Sequence, residues 1–514
     1  MGDICKKVEF QCIYFFHFFL FQTFGTWAQD SIPANTRTRI YFSPTESFVS
    51  QIYDNPAINY YAHTFSISEL QIGWEQQNAN KAFLPQLGSE VRNFSFHAFS
   101  YMPLGENSKT WGNAYFKKGK REKVEWNETS DYLTVYPYVV ADSVGGDMDF
   151  EEYYFAGGYA QEHKRFTWGI YANYRALIEY RKIDPRPRNI VSDLKASIGM
   201  SAKLNKLYSM GIAFHAGKYK QTNDVKFYSE LGSAITYNLS GLGMDYVRFR
   251  RGATSLFYDG HRYGASIEIF PRDKQGFSGS FGYERFSFEK IISDLNDLPL
   301  NTLNQDKMKA EIAYTSFRNK HQWGVRTRAT YQDRQGIESL IGSATTNVYE
   351  KTGEAEQLSV KKADISVSGV YGQTKGDRFT WYLSPRSGFN SFKMEYLDPA
   401  RLMKVNYLSG GMNFFAATGY KKHSFQFVLD GVYRKNSTAD LQLTEIDQEQ
   451  IALAAVYKDY DNLSADNWTT NIELRWNYSL PKNRGIFIKL NWQHDSCQND
   501  LHRETLQAHC GIVF

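Results

Sequence analysis

The sequence predicts an all-β protein: a transmembrane antiparallel β-barrel of about 18 strands, with about 16 as the alternative, short periplasmic turns and long extracellular loops. Three features lead to this prediction: a secretory signal, long runs in which apolar and polar residues alternate, and a last strand that ends on an aromatic residue. The 514 residues include 36 Tyr, 37 Phe and 10 Trp but only 13 Pro. Aromatic girdles at the two membrane interfaces would account for this large number of aromatic residues.

The first element is a signal peptide, predicted over residues 1–28. Lys6 and Lys7 form its basic region, an apolar run follows from Cys12 to Gly25, and small residues stand at the cleavage positions in Thr26–Ala28. The rival interpretation, a transmembrane helix, needs about 20 apolar residues and the run is shorter. Residues 29–60 do not alternate, and we expect an N-terminal segment that is periplasmic or lies in the lumen. Residues 61–514 are the predicted barrel.

Alternation over nine or more residues assigns faces to individual strands, because successive strand side chains point to opposite sides. The clearest run covers residues 468–480. Trp468, Leu474 and Trp476 are expected to face lipid, whereas Glu473 and Arg475 fall on the lumen side. The same pattern recurs over residues 168–181 and 323–332.

Short basic segments separate pairs of these runs and predict tight hairpin turns at the periplasmic end. They are His163–Arg165, Leu204–Lys206, Arg272–Gly276, Arg318–His321, Lys375–Arg378, Lys421–His423 and Pro481–Arg484. The connections at the opposite end are longer and polar, and irregular loops are expected at roughly 221–257, 334–355 and 436–465. Residues 78–147 and 380–420 gave the least definite strand pattern.

The chain ends on Leu506–Phe514, in which Leu506, Ala508, Cys510, Ile512 and Phe514 share one face. A bare apolar strand at the end of a soluble domain would leave an open sheet edge. In a closed barrel the last strand pairs with the first and no edge remains. This ending therefore favours a bacterial outer-membrane location, with outer-membrane lipid as the surrounding partner.

The formal charge of +4 is too balanced to indicate nucleic acid as a partner. Cys497 and Cys510 lie too far apart in the predicted last hairpin for a disulfide.

Charged residues on the lumen side are the candidate site. They are Arg175, Glu179, Arg181, Arg326, Arg328, Asp430, Arg434, Glu473, Arg475 and Lys489. One interpretation is a charged constriction that selects solutes. The alternative, favoured by the mixed signs, is a network of ion pairs that fills a narrow or plugged lumen.

Catalytic and metal chemistry are not predicted, and no cofactor is expected. The pair His494–Asp495 lies near an extracellular tip, as a rim protease would require, but such a pair is common on solvated surfaces. His494, Cys497 and His502 could approach one another, yet with His509 and Cys510 their spacing matches no standard metal site.

Asn55-Pro56-Ala57, just before the first predicted strand, resembles the segment that precedes the barrel in FadL-like hydrophobic-substrate channels and in PorP/SprF-type secretion-associated barrels. Together with the signal peptide, the basic turns and Phe514, it makes the chain resemble an uncharacterised outer-membrane barrel family, a domain of unknown function. The resemblance implies the barrel class and no substrate.

The leading functional hypothesis is a channel, or a component of an uptake complex, for a small or hydrophobic solute. The alternative is an occluded barrel that acts as a structural or docking partner of a surface or secretion complex, with other envelope proteins as partners. A membrane-embedded hydrolase ranks last, and the sequence predicts no enzyme.

Overall fold

The structure is a computed structural model that describes residues 32–230, 232–317, 320–343, 348–375, 379–445 and 452–514. Within these residues, 18 strands form one closed antiparallel sheet in which each strand pairs with its neighbours in the chain. The first strand also pairs with the last, from Glu69 opposite Val513 to Ala79 opposite Arg503. The prediction of an antiparallel barrel with about 18 strands is confirmed.

Twenty-one strands, β1–β21, are numbered in chain order. The barrel strands are β1 (Ile67–Ala79), β2 (Glu90–Pro103), β3 (Ser108–Val124), β5 (Gly146–His163), β6 (Phe166–Tyr180), β7 (Arg186–Lys203), β8 (Tyr208–Lys226), β11 (Thr254–Pro271), β12 (Gly276–Ile292), β13 (Leu298–Ser316), β14 (His321–Ile341), β15 (Lys351–Lys375), β16 (Phe379–Tyr396), β17 (Arg401–Tyr420), β18 (His423–Leu443), β19 (Asn467–Leu480), β20 (Arg484–Cys497) and β21 (His502–Val513). A second, three-stranded sheet consists of β4 (Val140–Asp142), β9 (Thr236–Gly241) and β10 (Met244–Asp245).

Four α-helices are described: α1 (Ala34–Tyr41), α2 (Pro44–Ser50), α3 (Tyr132–Val135) and α4 (Leu453–Ser464). Ser43 caps α2 by accepting a hydrogen bond from the Glu46 backbone N–H, and Pro44 occupies the first turn, where its missing N–H costs nothing. None of the described helices is long and apolar enough to cross a membrane.

The faces assigned to residues 468–480 are confirmed. Trp468 and Leu474 are about half exposed on the outer surface, whereas Arg475 and Asn477 are buried inside the barrel. Large apolar side chains also cover the outside of the other strands, among them Trp74, Phe94, Ile170, Phe214, Ile312 and Ile488. An apolar outer surface of this kind is favourable in lipid. Closure of the sheet leaves no edge strand with unpaired backbone groups. The protein is a bacterial outer-membrane β-barrel in contact with outer-membrane lipid.

The basic turns fall between strands at one end of the barrel. The two-residue connections at Lys164 and Lys421 place those lysines at positive φ, as a tight hairpin requires. Residues 318–319 and 376–378 of two predicted turns lie outside the described residues, but the flanking strands pair as hairpins. Because short turns face the periplasm in such barrels, this end is periplasmic and the other is extracellular.

The predicted irregular loops at roughly 221–257, 334–355 and 436–465 are too long. β14 continues to Ile341, β15 starts at Lys351 and β18 continues to Leu443. The strands remain paired beyond the roughly 10 residues that span a bilayer, because cross-strand hydrogen bonds continue to satisfy the backbone in water. Polar sequence at these positions marks the exit from the membrane and not the end of the strand.

Candidate functional site

The inside of the barrel has three zones, which differ in how exposed the lumen-facing side chains are. On β14 the side chain of Arg328 is 36% exposed, while Gly324 below it and Arg334 above it are buried. On β19, Glu473 is 31% exposed and Arg475, one step nearer the periplasm, is 3% exposed. A polar chamber at mid-height therefore lies between two closed ends.

The periplasmic end is closed by residues 32–65, which we call the periplasmic plug. Buried Arg37 in α1 holds it to the ends of three segments of the barrel. Its guanidinium donates hydrogen bonds to the backbone oxygens of Ser66 at 2.6 Å, Asn483 at 2.7 Å and Phe514 at 3.1 Å. These carbonyls lie at strand ends, and the Phe514 oxygen also accepts from the Ser68 N–H at 3.3 Å, so the arginine ties the plug to the place where the first and last strands meet.

The Asn55-Pro56-Ala57 segment lies against the inner wall of the barrel. Asn55 accepts a hydrogen bond from the Ala57 N–H at 2.9 Å and donates one to Glu268 on β11 at 3.0 Å. Lumen-facing glycines make room for it: a Cβ at Gly199 would overlap the Asn55 side chain, and one at Gly169 would lie 2.7 Å from the Ala57 nitrogen. The motif noted in the sequence is thus the part of the plug that fits most closely into the wall.

Phe48 of α2 anchors the plug on the opposite wall. Its ring packs in a buried cluster with Ile52, Val370, Tyr382 and Phe415. The Arg326 guanidinium lies 4.9 Å from the ring centroid and donates to the Phe48 backbone oxygen at 3.1 Å.

Loops that fold inward close the extracellular end. We call residues 125–145 and 232–253, together with α4, the extracellular plug. Its apolar core joins Tyr138, Val139 and Val140 to lumen-facing Tyr258 and Phe288 in the largest buried cluster of the described chain.

Wall side chains donate to backbone carbonyls of this plug. Tyr258 donates to the Tyr138 oxygen at 2.8 Å, and Lys290 donates to the Val139 oxygen at 3.2 Å. Arg334 reaches the oxygens of Leu133 and Tyr136, and Arg401 reaches that of Leu242. A buried loop needs such partners for its peptide groups, so the wall is built to hold it.

Carboxylates of the plug also pair with the wall. Arg181 contacts Asp142 at 3.0 Å with both side chains buried, and Arg175 contacts Asp131. Burial and the neighbouring Asp142 raise the pKa of Glu128 well above its ordinary value.

The structure places the ten predicted site residues against groups inside the barrel, but it does not bring them into one cluster. Arg175, Glu179 and Arg181 contact the extracellular plug, and Arg326 contacts the periplasmic plug. The others contact wall residues: Arg328 with Glu311, Asp430 with Arg386, Arg434 over the Tyr407 ring, Glu473 with Lys489, and Arg475 with Glu69.

The chamber also contains charged and polar side chains that are not among the ten predicted site residues. Arg262 pairs with Asp193 at 2.9 Å, and Glu284 lies 3.0 Å from His215 and accepts from Lys195 at 3.5 Å. Lys307, Gln332 and Lys362 line the next strands. Alternation was the available signal: it placed Gln332 of β14 opposite the lipid face, but no faces were assigned to β11, β12, β13 and β15.

His494 and Asp495 cannot act as a pair across one site. His494 lies on the outer face, where its ring stacks with those of Trp492 and His502, whereas Asp495 is buried inside and accepts from Arg503 at 2.9 Å. Cys497 is buried and Cys510 exposed, and both are free thiols. In the described part of the chain, no three His, Cys, Asp or Glu residues are grouped to hold a metal ion.

Residues 56–514 match the family described as "Family of unknown function (DUF6850)". No curated protein sequence matches the chain. Similar solved structures include the ferric preacinetobactin receptor BauA from Acinetobacter baumannii, with 10% identity, a TM-score of 0.38 and coverage of 87% of this chain and 80% of that one. The siderophore receptor PiuA from the same organism has 7% identity, a TM-score of 0.40 and coverage of 88% and 82%. The ferric yersiniabactin uptake receptor FyuA from Yersinia pestis has 8% identity, a TM-score of 0.37 and coverage of 88% and 80%.

Proposed function

The chain belongs to the DUF6850 family of unknown function, and from the geometry of its lumen we propose that it is a gated outer-membrane barrel that admits a small solute. The observation that carries this proposal is the polar chamber between two closed ends, whose side chains Arg328 and Glu473 are 36% and 31% exposed. A barrel with only a structural role would gain nothing from a water-accessible interior lined by paired charges, whereas a solute path needs one.

In this proposal the periplasmic plug is the movable gate. It precedes β1, so it can leave the lumen without breaking strand pairing. It is held by discrete contacts at Arg37, Phe48 and Asn55. The extracellular plug would admit solute by local movement of its loops, and the charged lumen residues would set selectivity. This selectivity role is part of the proposal for all ten candidate residues.

A disulfide lock tests the gate. A Cβ at Gly485 on β20 would lie 3.8 Å from the Cβ of Ala34 in α1, which is the usual Cβ separation in a disulfide. The variant Ala34→Cys/Gly485→Cys should crosslink the plug to the wall under oxidation. Each single-cysteine variant serves as a matched control.

Conductance in planar bilayers is the readout. We expect intermittent openings in the native protein, their loss in the oxidised double variant and their return on reduction, with the single variants unaffected. A variant that weakens docking of the plug should have the opposite effect. Arg37→Ala removes three hydrogen bonds to backbone carbonyls and should raise the fraction of time that the channel is open. Conductance that is unchanged by locking, or no opening in either the native protein or Arg37→Ala, would overturn the proposal.

A second function, docking of a surface partner, is favoured by one observation. Strands β13–β18 contain 18 to 25 residues, whereas β1 and β19–β21 contain 12 to 14. The longest strands, β14, β15, β17 and β18, therefore extend farther past the membrane than the short strands β1 and β19–β21. Recovery of a stable envelope partner by crosslinking at these longest strands, from a barrel that never conducts, would support docking over uptake.

A further inference from the structure

We propose that the chamber binds an oxyanion, a carboxylate or a phosphate, at a site formed by Lys307, Gln332 and Lys362. This inference deepens the proposed function, because it names the chemical class of the solute. It rests on strand register, on charges that lack partners and on the position of the three residues beneath the extracellular plug.

The register places the three side chains in one row. Lys307 on β13 lies opposite Gln332 on β14, and Gln332 lies opposite Lys362 on β15. All three belong to the lumen side, since they alternate with outward Met308 and Tyr331. Neighbouring strands are about 4.8 Å apart, so the two lysine Cα atoms are about 10 Å apart with the amide between them. Two flexible ammonium groups at this separation can converge on one anion from both sides.

The two lysines of this row make no direct ion pair in the described part of the chain, although Asp364, on the same face of β15, attracts the Lys362 charge. Among the described residues, neither Lys307 nor Lys362 makes an ion pair with a carboxylate. The Lys362 ammonium instead lies 5.4 Å from the centre of the Phe392 ring. The Gln332 side-chain nitrogen is buried and has no hydrogen-bond acceptor in the described structure. Half-buried donors without acceptors are unfavourable, and a bound oxyanion would satisfy all three.

Other cations of the same chamber behave differently. Lys309, one step along β13, contacts Glu311 at 2.8 Å, and Arg386 contacts Asp430 at 2.6 Å. Glu284 lies opposite Lys307 on the other side of β13, but it is already engaged by His215 and Lys195. Lys307 and Lys362 thus differ from Lys309 and Arg386 in having no ion-paired carboxylate among the described residues.

Arg334 adds positive charge on the extracellular side of the row. It follows Gln332 by two residues on the same face of β14, and its guanidinium donates to Leu133 at 3.2 Å and Tyr136 at 3.1 Å in the extracellular plug. An anion held by the row would therefore lie against the plug, at the point where a solute from outside would first enter the chamber.

Equilibrium dialysis of the full-length protein in neutral detergent tests the site, with labelled citrate and inorganic phosphate as separate probes. We expect saturable binding of at least one probe, weakened by added salt. Lys307→Gln/Lys362→Gln should weaken that binding about tenfold or more, because two charge-assisted contacts are lost. The matched control is Lys309→Gln, which removes a lumen cation that already has a partner, and its binding should stay within about twofold of native. Unchanged heat-modified gel mobility shows that each variant folds.

No saturable binding of either probe, or equal loss in Lys309→Gln, would overturn the site. Binding of citrate alone assigns a carboxylate solute and binding of phosphate alone assigns a phosphate. The proposed function is judged separately by conductance. A protein that gates normally but binds neither anion refutes only the site, and one that binds at the row but never opens refutes only the gate.

Discussion

The two ends of the lumen are closed in different ways. The periplasmic plug comes before the barrel in the chain. It is held by one arginine on three carbonyls, one tripeptide against glycines, the Glu46–Lys274 ion pair and two small apolar clusters, one around Phe48 and one around Ala34 and Phe65. The extracellular plug is made of loops joined to strands at both ends, and it shares a large apolar cluster with the wall. The first closure can be released as a unit, whereas the second is part of the folded core.

The two closures should therefore differ in the free energy that their opening requires. Removing a segment that packs through two smaller clusters exposes less apolar surface than removing the inward loops, which would expose the main buried cluster and leave carbonyls without donors. The large opening should therefore occur at the periplasmic end, and the extracellular end should change only locally.

The largest expected effect lies in the extracellular plug. Tyr138→Ala removes a fully buried ring from the main cluster and should lower the free energy of unfolding by about 3–5 kcal/mol. Leu133→Ala, in the same loop but 58% exposed, should change it by less than about 0.5 kcal/mol. Urea unfolding followed by tryptophan fluorescence measures both. If Tyr138→Ala raised conductance without lowering barrel stability, the two closures would be equivalent and the comparison would fail.

The second prediction acts on the periplasmic plug from the wall side. Gly199→Ala places a Cβ where the Asn55 side chain lies, and it should weaken docking of the plug by about 1–3 kcal/mol while the barrel stays intact. Gly410→Ala is the control, because a Cβ there meets nothing within 4 Å. Hydrogen exchange read by mass spectrometry should rise in residues 34–61 in the first variant and stay at the native level in the second. Faster exchange throughout the strands of Gly199→Ala would contradict a separate plug.

The third prediction is that acid loosens the periplasmic plug. His63 is buried among the rings of Tyr41, Phe65 and Tyr101, and this burial, with Lys274 and Lys109 nearby, lowers its pKa from 6.5 to about 4. Glu46 lies 3.7 Å away but is itself paired with Lys274 at 2.9 Å.

The released plug would protonate at the ordinary pKa, so docking is fully stabilised above about pH 6.5 and weakens as the pH falls. The loss between pH 7 and pH 5 should be about 2 kcal/mol. Exchange in residues 34–65, corrected for intrinsic rate, should increase over this interval. The variant His63→Phe keeps an aromatic ring and should lack the increase. An equal increase in His63→Phe would assign the effect to another group.

The smallest predicted effect is a pH dependence of the extracellular plug, and its sign is opposite to that of the periplasmic plug. Burial raises the pKa of Asp459 in α4 to about 7, although Gln86 donates to it at 3.0 Å. Docking of α4 is therefore most stable at low pH and weakens as the pH rises through 7, by about 1 kcal/mol between pH 6 and pH 8. Exchange in residues 453–464 should increase with pH in the native protein and not in Asp459→Asn. Exposed Asp461→Asn on the same helix should retain the native response. A response lost equally in both variants would show that the helix charge, and not the buried carboxyl, is responsible.

Much of the fold followed from local pattern. The alternation from Trp468 to Leu480 assigned a lipid face and a lumen face correctly, and the basic turns marked one end of the barrel. Both depend on the period of two of a strand and on turn chemistry, which neighbouring residues decide. Strand ends were less predictable, because polar residues outside the membrane suit a loop and an exposed strand equally well.

The site was harder to predict. Val139 and Val140 are apolar in sequence but lie in a stretch with no clear period, and nothing local says that they enter the lumen. Lys307 and Lys362 are separated by 55 positions and meet only through the register of β13, β14 and β15. Glu311 is likewise unremarkable in sequence and becomes the partner of Lys309 and Arg328 only across strands.

The sequence alone predicts that the chain closes a sheet in lipid, because strands with one apolar face satisfy their backbone in a membrane only by closure. The tertiary structure alone decided what fills the barrel: which segments enter from each end, which charges find partners and which remain free. The physical reason is that side-chain periodicity is a property of one strand, whereas occupation of the lumen depends on contacts between segments hundreds of residues apart, as with Arg37 and Phe514.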